Sequence, residues 1–191
     1  MRRISNLAAL AISSGVFFVG SAFAQIGGNS ITCAVNVAAT PTAGAESFTA
    51  KVSEITLSCT GGTPTLTGTA VPAVNIQVFL NTAVTSRIYP NGLSEAMLMI
   101  DEPGSGIAGT SNTQLACNDP NAICAVTGTG TGAGTFNGSQ GRPNIFPGKV
   151  SGNSVAFNSI PIDPPANGQT RVFRFVNIRA NATSISGSGG I

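Results

Sequence analysis

Apolar and polar residues alternate with a period of two along several short runs of this chain. In 31–37 (ITCAVNV), Ile31, Cys33, Val35 and Val37 fall on one side of an extended backbone, with Thr32, Ala34 and Asn36 on the other. Ile55, Leu57 and Cys59 repeat the pattern. Val74, Ile76, Val78 and Leu80 give its cleanest form, with Asn75, Gln77 and Asn81 on the second face. Residues 170–181 (TRVFRFVNIRAN) predict the longest strand. There Val172, Val176 and Ile178 share a face with Arg174, while Phe173 and Phe175 share the other with Arg171, Asn177 and Arg179. Apolar bulk on both faces suits a strand inside a sandwich, near a groove or subunit contact.

Weaker runs fill the gaps. Residues 84–89 pair with or continue the third strand and close on the turn Pro90-Asn91-Gly92. Residues 95–101 (EAMLMID) contain helix formers, yet seven residues stopped by Pro103-Gly104 are too few for a helix, so a strand is predicted. Val155, Phe157 and Ser159 alternate again, and Pro161, Pro164 and Pro165 confine that end to a sheet edge or a turn. About eight strands separated by Gly, Pro and Asn, with no convincing helix, predict an all-β fold. The expectation is an immunoglobulin-like or jelly-roll-type β-sandwich. Tryptophan is absent, so the Cys…Trp…Cys pattern of antibody domains is missing.

The first 24 residues read differently. Arg2 and Arg3, an apolar stretch over 7–19 and the small-x-small motif Ala22-Phe23-Ala24 have the layout of a secretory signal peptide cleaved before Gln25. The apolar stretch is too short to span a bilayer, and no second long one follows. Ile4, Ser5 and Asn6 do not extend the arginine pair into a twin-arginine signal, so the general export route is expected. The predicted organisation is a signal peptide at 1–24, one β-sandwich domain over 25–182 with a Gly/Thr-rich excursion at 104–148, and a flexible tail at 183–191.

Export changes the charge and cysteine readings. Without Arg2 and Arg3, seven basic residues face seven acidic ones. No basic run offers an electrostatic footprint for nucleic acid or anionic lipid. Only 8% of residues are charged, against about 25% in average domains. A surface of Thr, Ser, Asn and Gly suits an extracellular β-protein, secreted or on the cell surface. Four cysteines in an exported chain predict disulfides. Of the three pairings, Cys33–Cys59 and Cys117–Cys124 close the short local loops. Zinc is disfavoured because histidine is absent and neither spacing is C-x-x-C.

The absence of histidine also removes every Ser-His-Asp and Cys-His constellation. A carboxylate pair would need two of Glu46, Glu54, Glu95, Asp101, Glu102, Asp119 and Asp163 to converge. Asp101-Glu102, or Asn118-Asp119 with Asn121, could offer oxygens to calcium but lack EF-hand spacing, and turn formation is their ordinary use. The glycine-rich run 128–141 lacks the G-K-[ST] ending of a phosphate loop. No catalytic, cofactor or metal residue is therefore assigned. Arg171, Phe173, Arg174 and Phe175 are the expected contact surface, with Phe136 and Phe146 in the excursion.

Three stretches carry a family resemblance: Thr32-Cys33-Ala34-Val35, then Ala39-Thr40-Pro41, then Leu57-Ser58-Cys59-Thr60-Gly61-Gly62-Thr63-Pro64. Together they resemble secreted pilin-type subunits of the spore coat protein U and chaperone–usher kind. The resemblance covers about a fifth of the chain. It implies a bond between Cys33 and Cys59 and an incomplete immunoglobulin-like sandwich completed by a strand from the next subunit. Two features depart from it. Only 25–32 precede Cys33 in the processed chain, and the tail ends Gly-Ser-Gly-Gly-Ile rather than in an aromatic-bearing strand. The expected function is a structural or adhesive cell-surface protein that self-associates or binds other surface proteins by strand addition, and not an enzyme. The alternative is an extracellular carbohydrate-binding module, with polysaccharide as partner and Tyr89, Phe136 and Phe146 as stacking platforms.

Overall fold

A computed structural model of the chain describes residues 22–26, 29–38, 43–44, 46–102, 112–132, 136–139 and 141–184. Most of the expected leader (1–21), the start of the glycine-rich excursion (103–111) and the tail beyond 184 lie outside these residues. The described chain is all-β, as the alternating runs predict. It forms antiparallel sheets around one main core, with a smaller cluster of Met97, Met99, Ile145 and Val176 apart from it, and carries a single short 3₁₀ turn at Ala182–Ser184.

The larger sheet has six strands in the order β1 (Ala22–Ile26), β2 (Asn29–Val37), β4 (Ile55–Gly61), β10 (Ala166–Val176), β6 (Met97–Ile100) and β7 (Ile145–Pro147). The smaller sheet runs β5 (Ala73–Phe79), β9 (Ser154–Pro161), β8 (Lys149–Ser151). A two-stranded ribbon of β3 (Ala50–Lys51) and β11 (Arg179–Ala180) completes the set. The segment 95–101 contains strand β6 and no helix, and β10 is the longest strand. The expectation fails in two places. Residues 84–89 form only isolated bridges, Val84 to Ala180 and Ile88 to Ser94, as do residues 114–117 and 123–127 of the excursion, with Ala116 to Ile145 and Thr127 to Ala70. And β9, despite its prolines, is the central strand of its sheet. Pro161 sits at its last position, and the bulge opposite 74–76, with Ser159 at φ 53°, brings Ile160 into the core.

Phe157 of β9 meets Phe175 of β10 edge to face at 5.3 Å between ring centres, so the two sheets pack at their middles. β7 passes into β8 through Gly148 alone, which stitches the sheets together along one side. A Cβ there would lie 2.5 Å from Val155 and 2.8 Å from Phe157, so only glycine permits the crossing.

The excursion is docked, and its described part is no solvated insertion. Val71 N–H donates to Val126 O at 2.8 Å, Gly128 N–H to Thr69 O at 2.8 Å and Gly130 N–H to Thr65 O at 2.9 Å. At Gly128 a Cβ would come 2.5 Å from Thr65 O, which explains one glycine of that run. The Cys117–Cys124 disulfide belongs to the same core as Val126 and Phe136.

Candidate functional site

The core face of the large sheet can be followed by register from one edge to the other. One row runs Val35, Leu57, Phe173, Ile100, and the next Val37, Ile55, Phe175, Leu98, Phe146. Directly opposed residues on neighbouring strands share a face, so both rows should be equally dry if the second layer were complete. They are not. Ile100, Phe173, Leu98, Phe175 and Phe146 are buried, Leu57 and Ile55 are half-buried, and Val35 and Val37 are 51% and 53% exposed.

The cause lies in the strand count. The stitched side brings β8 beside β7 and β9 lies over β10, which leaves β5 on the side of β4 and β2. Along β2 itself coverage is uneven: Ile31 is buried and Cys33 half-buried, while Val35 and Val37 stand exposed. Val74, Ile76, Val78 and Leu80 of β5 and its extension are likewise only half-buried, and β5 pairs with a neighbour on one edge only among the described residues. The result is an open side at the β2 end of the large sheet, where Val35 and Val37 stand beside half-buried Leu57 and Ile55. Residues 29–37, which form the β2 wall, contain no Lys, Arg, Asp, Glu or Pro.

The residues expected to form a contact surface lie elsewhere. Phe173, Phe175, Phe136 and Phe146 are buried core residues, and Arg171 is 2% exposed. Of the six, only Arg174 reaches solvent, with 28% of its side chain exposed. Phe173 and Phe175 therefore hold the sandwich together from within. With Phe136 and Phe146 inside, Tyr89 alone of the three expected stacking platforms is accessible, beneath Arg87 at 5.6 Å from its ring centre. A shallow cleft beside Cys117–Cys124, lined among others by Leu115, Ala116, Asn118 and Pro143, presents no charged side chain.

Nor do the arginines of 171–179 form a cationic patch. Arg171 Nε lies 2.9 Å from Asp101 Oδ2, and its guanidinium donates to Asp163 O at 3.0 Å and to Gly132 O. Phe136 packs against it at 4.7 Å. Burial lowers the pKa of Arg171, opposed by the charges of Asp101 and Asp163. Asp101 also accepts the Val172 N–H at 2.8 Å, and burial pushes its carboxyl up against the pull of Arg171. Arg174 bridges Glu54 at 2.9 Å and buried Glu102 at 2.7 Å. Burial likewise raises Glu102, opposed by Arg174, whereas a hydrogen bond from Lys51 leads the lowering of Glu54. Arg179 pairs with Glu95 at 3.0 Å. Asp101, Glu102, Glu54 and Glu95 are thus engaged by arginine, and the Arg171 cluster ties β6, β10 and the excursion together. Asp119 instead accepts the N–H groups of Asn121 and Ile123 in a turn, and the Asp163 carboxylate accepts Thr65 N–H.

Both disulfides join the expected partners, Cys33 to Cys59 and Cys117 to Cys124. The geometry defines a class: a disulfide-bonded, all-β sandwich of antiparallel sheets with one open side. Set against protein-family models, curated proteins and solved structures, the chain finds no match.

Proposed function

We propose that this chain is an exported structural or adhesive protein of the cell surface that self-associates by adding a strand along the open side of its sandwich. The observation that supports this reading best is the half-exposure of Val35 and Val37 at one end of register rows whose far residues, Phe173, Ile100, Phe175 and Leu98, are buried. Covering both valines would remove on the order of 100 Å² of apolar surface from water and contribute about 2–3 kcal/mol. The free edges along that side add main-chain hydrogen bonds. Two disulfides suit an oxidising compartment outside the cytosol. The buried, arginine-paired carboxylates favour a scaffold over a reaction site.

Sedimentation velocity of the processed chain, beginning at Gln25, across a hundredfold range of concentration tests the proposal. The expected result is a shift to larger species as concentration rises, reduced at least tenfold in affinity by Val35→Asp. A monomer throughout the range overturns it.

A further inference from the structure

β1 pairs with β2 through Ala22↔Cys33, Phe23↔Thr32, Ala24↔Ile31, Gln25↔Ser30 and Ile26↔Asn29. The small-x-small motif Ala22-Phe23-Ala24 is therefore the part of β1 that lies furthest along β2. Hydrolysis of the Ala24–Gln25 bond by a peptidase of the export route consumes one water. It leaves a carboxylate on Ala24 and an amino terminus on Gln25, and removes three of the five register pairs.

Which backbone groups this uncovers follows from the neighbouring disulfide. Cys33 and Cys59 stand opposite each other with their Cα atoms 4.0 Å apart, the close spacing of a non-hydrogen-bonded antiparallel pair. Thr32, Ala34 and Asn36 therefore carry the ladder to β4. The N–H and C=O groups of Ile31, Cys33, Val35 and Val37 point the other way, toward the outer edge. β1 covers the first two of these through Ala24 and Ala22. On that side Val35 and Val37 have no strand partner among the described residues.

We propose that β1 is a removable guard: cleavage after Ala24 opens the edge of β2, and the β2 edge of a second processed copy pairs with it antiparallel about a two-fold axis. This rests on the self-association proposed above and names its trigger and its strand. A second copy fits for three reasons. Identical strands satisfy each other reciprocally in an isologous contact. Residues 29–37 lack the charges and proline that ordinarily blunt a sheet edge. And removal of Arg2 and Arg3 leaves basic and acidic residues balanced, so two copies meet without net repulsion.

The test compares the full chain, carrying Ile12→Ser, Phe17→Ser and Phe18→Ser to keep the leader in solution, with the processed chain beginning at Gln25. Both are refolded under oxidising conditions and checked for two disulfides by intact mass, then measured by sedimentation velocity. The expected result is a monomeric full chain and a processed chain that dimerises at least tenfold more tightly. Ala24→Pro in the full chain, which removes the N–H that faces Ile31, should release the guard and restore dimers. Val35→Pro in the processed chain should abolish them, since that N–H takes no part in the ladder to β4. Equal dimerisation of full and processed chains overturns the guard while self-association stands. A processed chain that stays monomeric overturns both. Dimers indifferent to Val35→Pro overturn the β2 edge as the contact.

Discussion

Arg171 of β10 and Asp101 at the end of β6 form an ion pair of 2.9 Å in which both side chains are more than nine-tenths buried. The pair sits where the large sheet meets the excursion. Its remaining donors reach Asp163 and Gly132, and its flat face meets Phe136. One guanidinium thus joins segments that are far apart in the chain.

Removing that guanidinium leaves a buried carboxylate without its counter-charge. Arg171→Ala is expected to lower unfolding free energy by about 3–5 kcal/mol, read from urea denaturation. Phe136→Ala, which empties the space beneath Arg171, should cost a comparable 3–5 kcal/mol. An effect of either below about 1 kcal/mol would show that this junction is not the anchor of the excursion.

The open side predicts the opposite behaviour for a neighbouring apolar position. Val35→Ala should change monomer stability by less than about 1 kcal/mol, because the side chain is already half in water. Phe175→Ala, two strands away in the adjoining register row, should cost about 3–5 kcal/mol. Thermal melts at low protein concentration separate the two, and a large loss in Val35→Ala would mean that β2 is covered after all.

The disulfides differ in loop length and therefore in expected effect. On the chain-entropy model, closing the loop between Cys33 and Cys59 contributes about 3.5 kcal/mol and that between Cys117 and Cys124 about 2.5 kcal/mol. Replacing each pair by alanine and comparing denaturation midpoints should preserve that order.

Acid should be tolerated down to about pH 5. The folded pKa values of Glu102 and Asp101 are raised, chiefly by burial. Between the ordinary carboxylate value, 4.5 for Glu102, and its raised folded value, the native state binds more protons than the unfolded chain. Stability from this source is therefore fully present below the ordinary value and is lost as pH rises through the folded one. Glu54 is held low and acts in the other direction: its contribution is present above 4.5 and is lost as pH falls through its folded value. The expected profile is flat or gently rising from neutrality to about pH 5 and falling below it. Glu102→Gln should remove part of the rise, by less than about 1.4 kcal/mol per pH unit. A steady loss of stability from pH 7 downward in the unmodified protein contradicts these assignments.

What could be read from the chain alone was whatever depends on neighbours in sequence. The period-two runs at 31–37, 55–59, 74–80 and 170–176 became β2, β4, β5 and β10, because a strand's two faces are set by alternation and need no knowledge of the partner. The disulfide pairing followed the same locality, and the placing of Phe173, Phe175 and Arg171 on one face of β10 did too. Their exposure did not follow. Phe173 and Phe175 share the apolar alternation of Val35 and Val37, yet the first pair is buried and the second half-exposed, since burial depends on which strand the other layer places above them. The partners of Arg171 and Arg174 were hidden for the same reason: Asp101, Asp163, Glu54 and Glu102 are brought to them across the sheet and from loops remote in sequence. Alternation determined the faces, and only the three-dimensional stacking of one sheet on a narrower one decided which face stays dry and which side is left open.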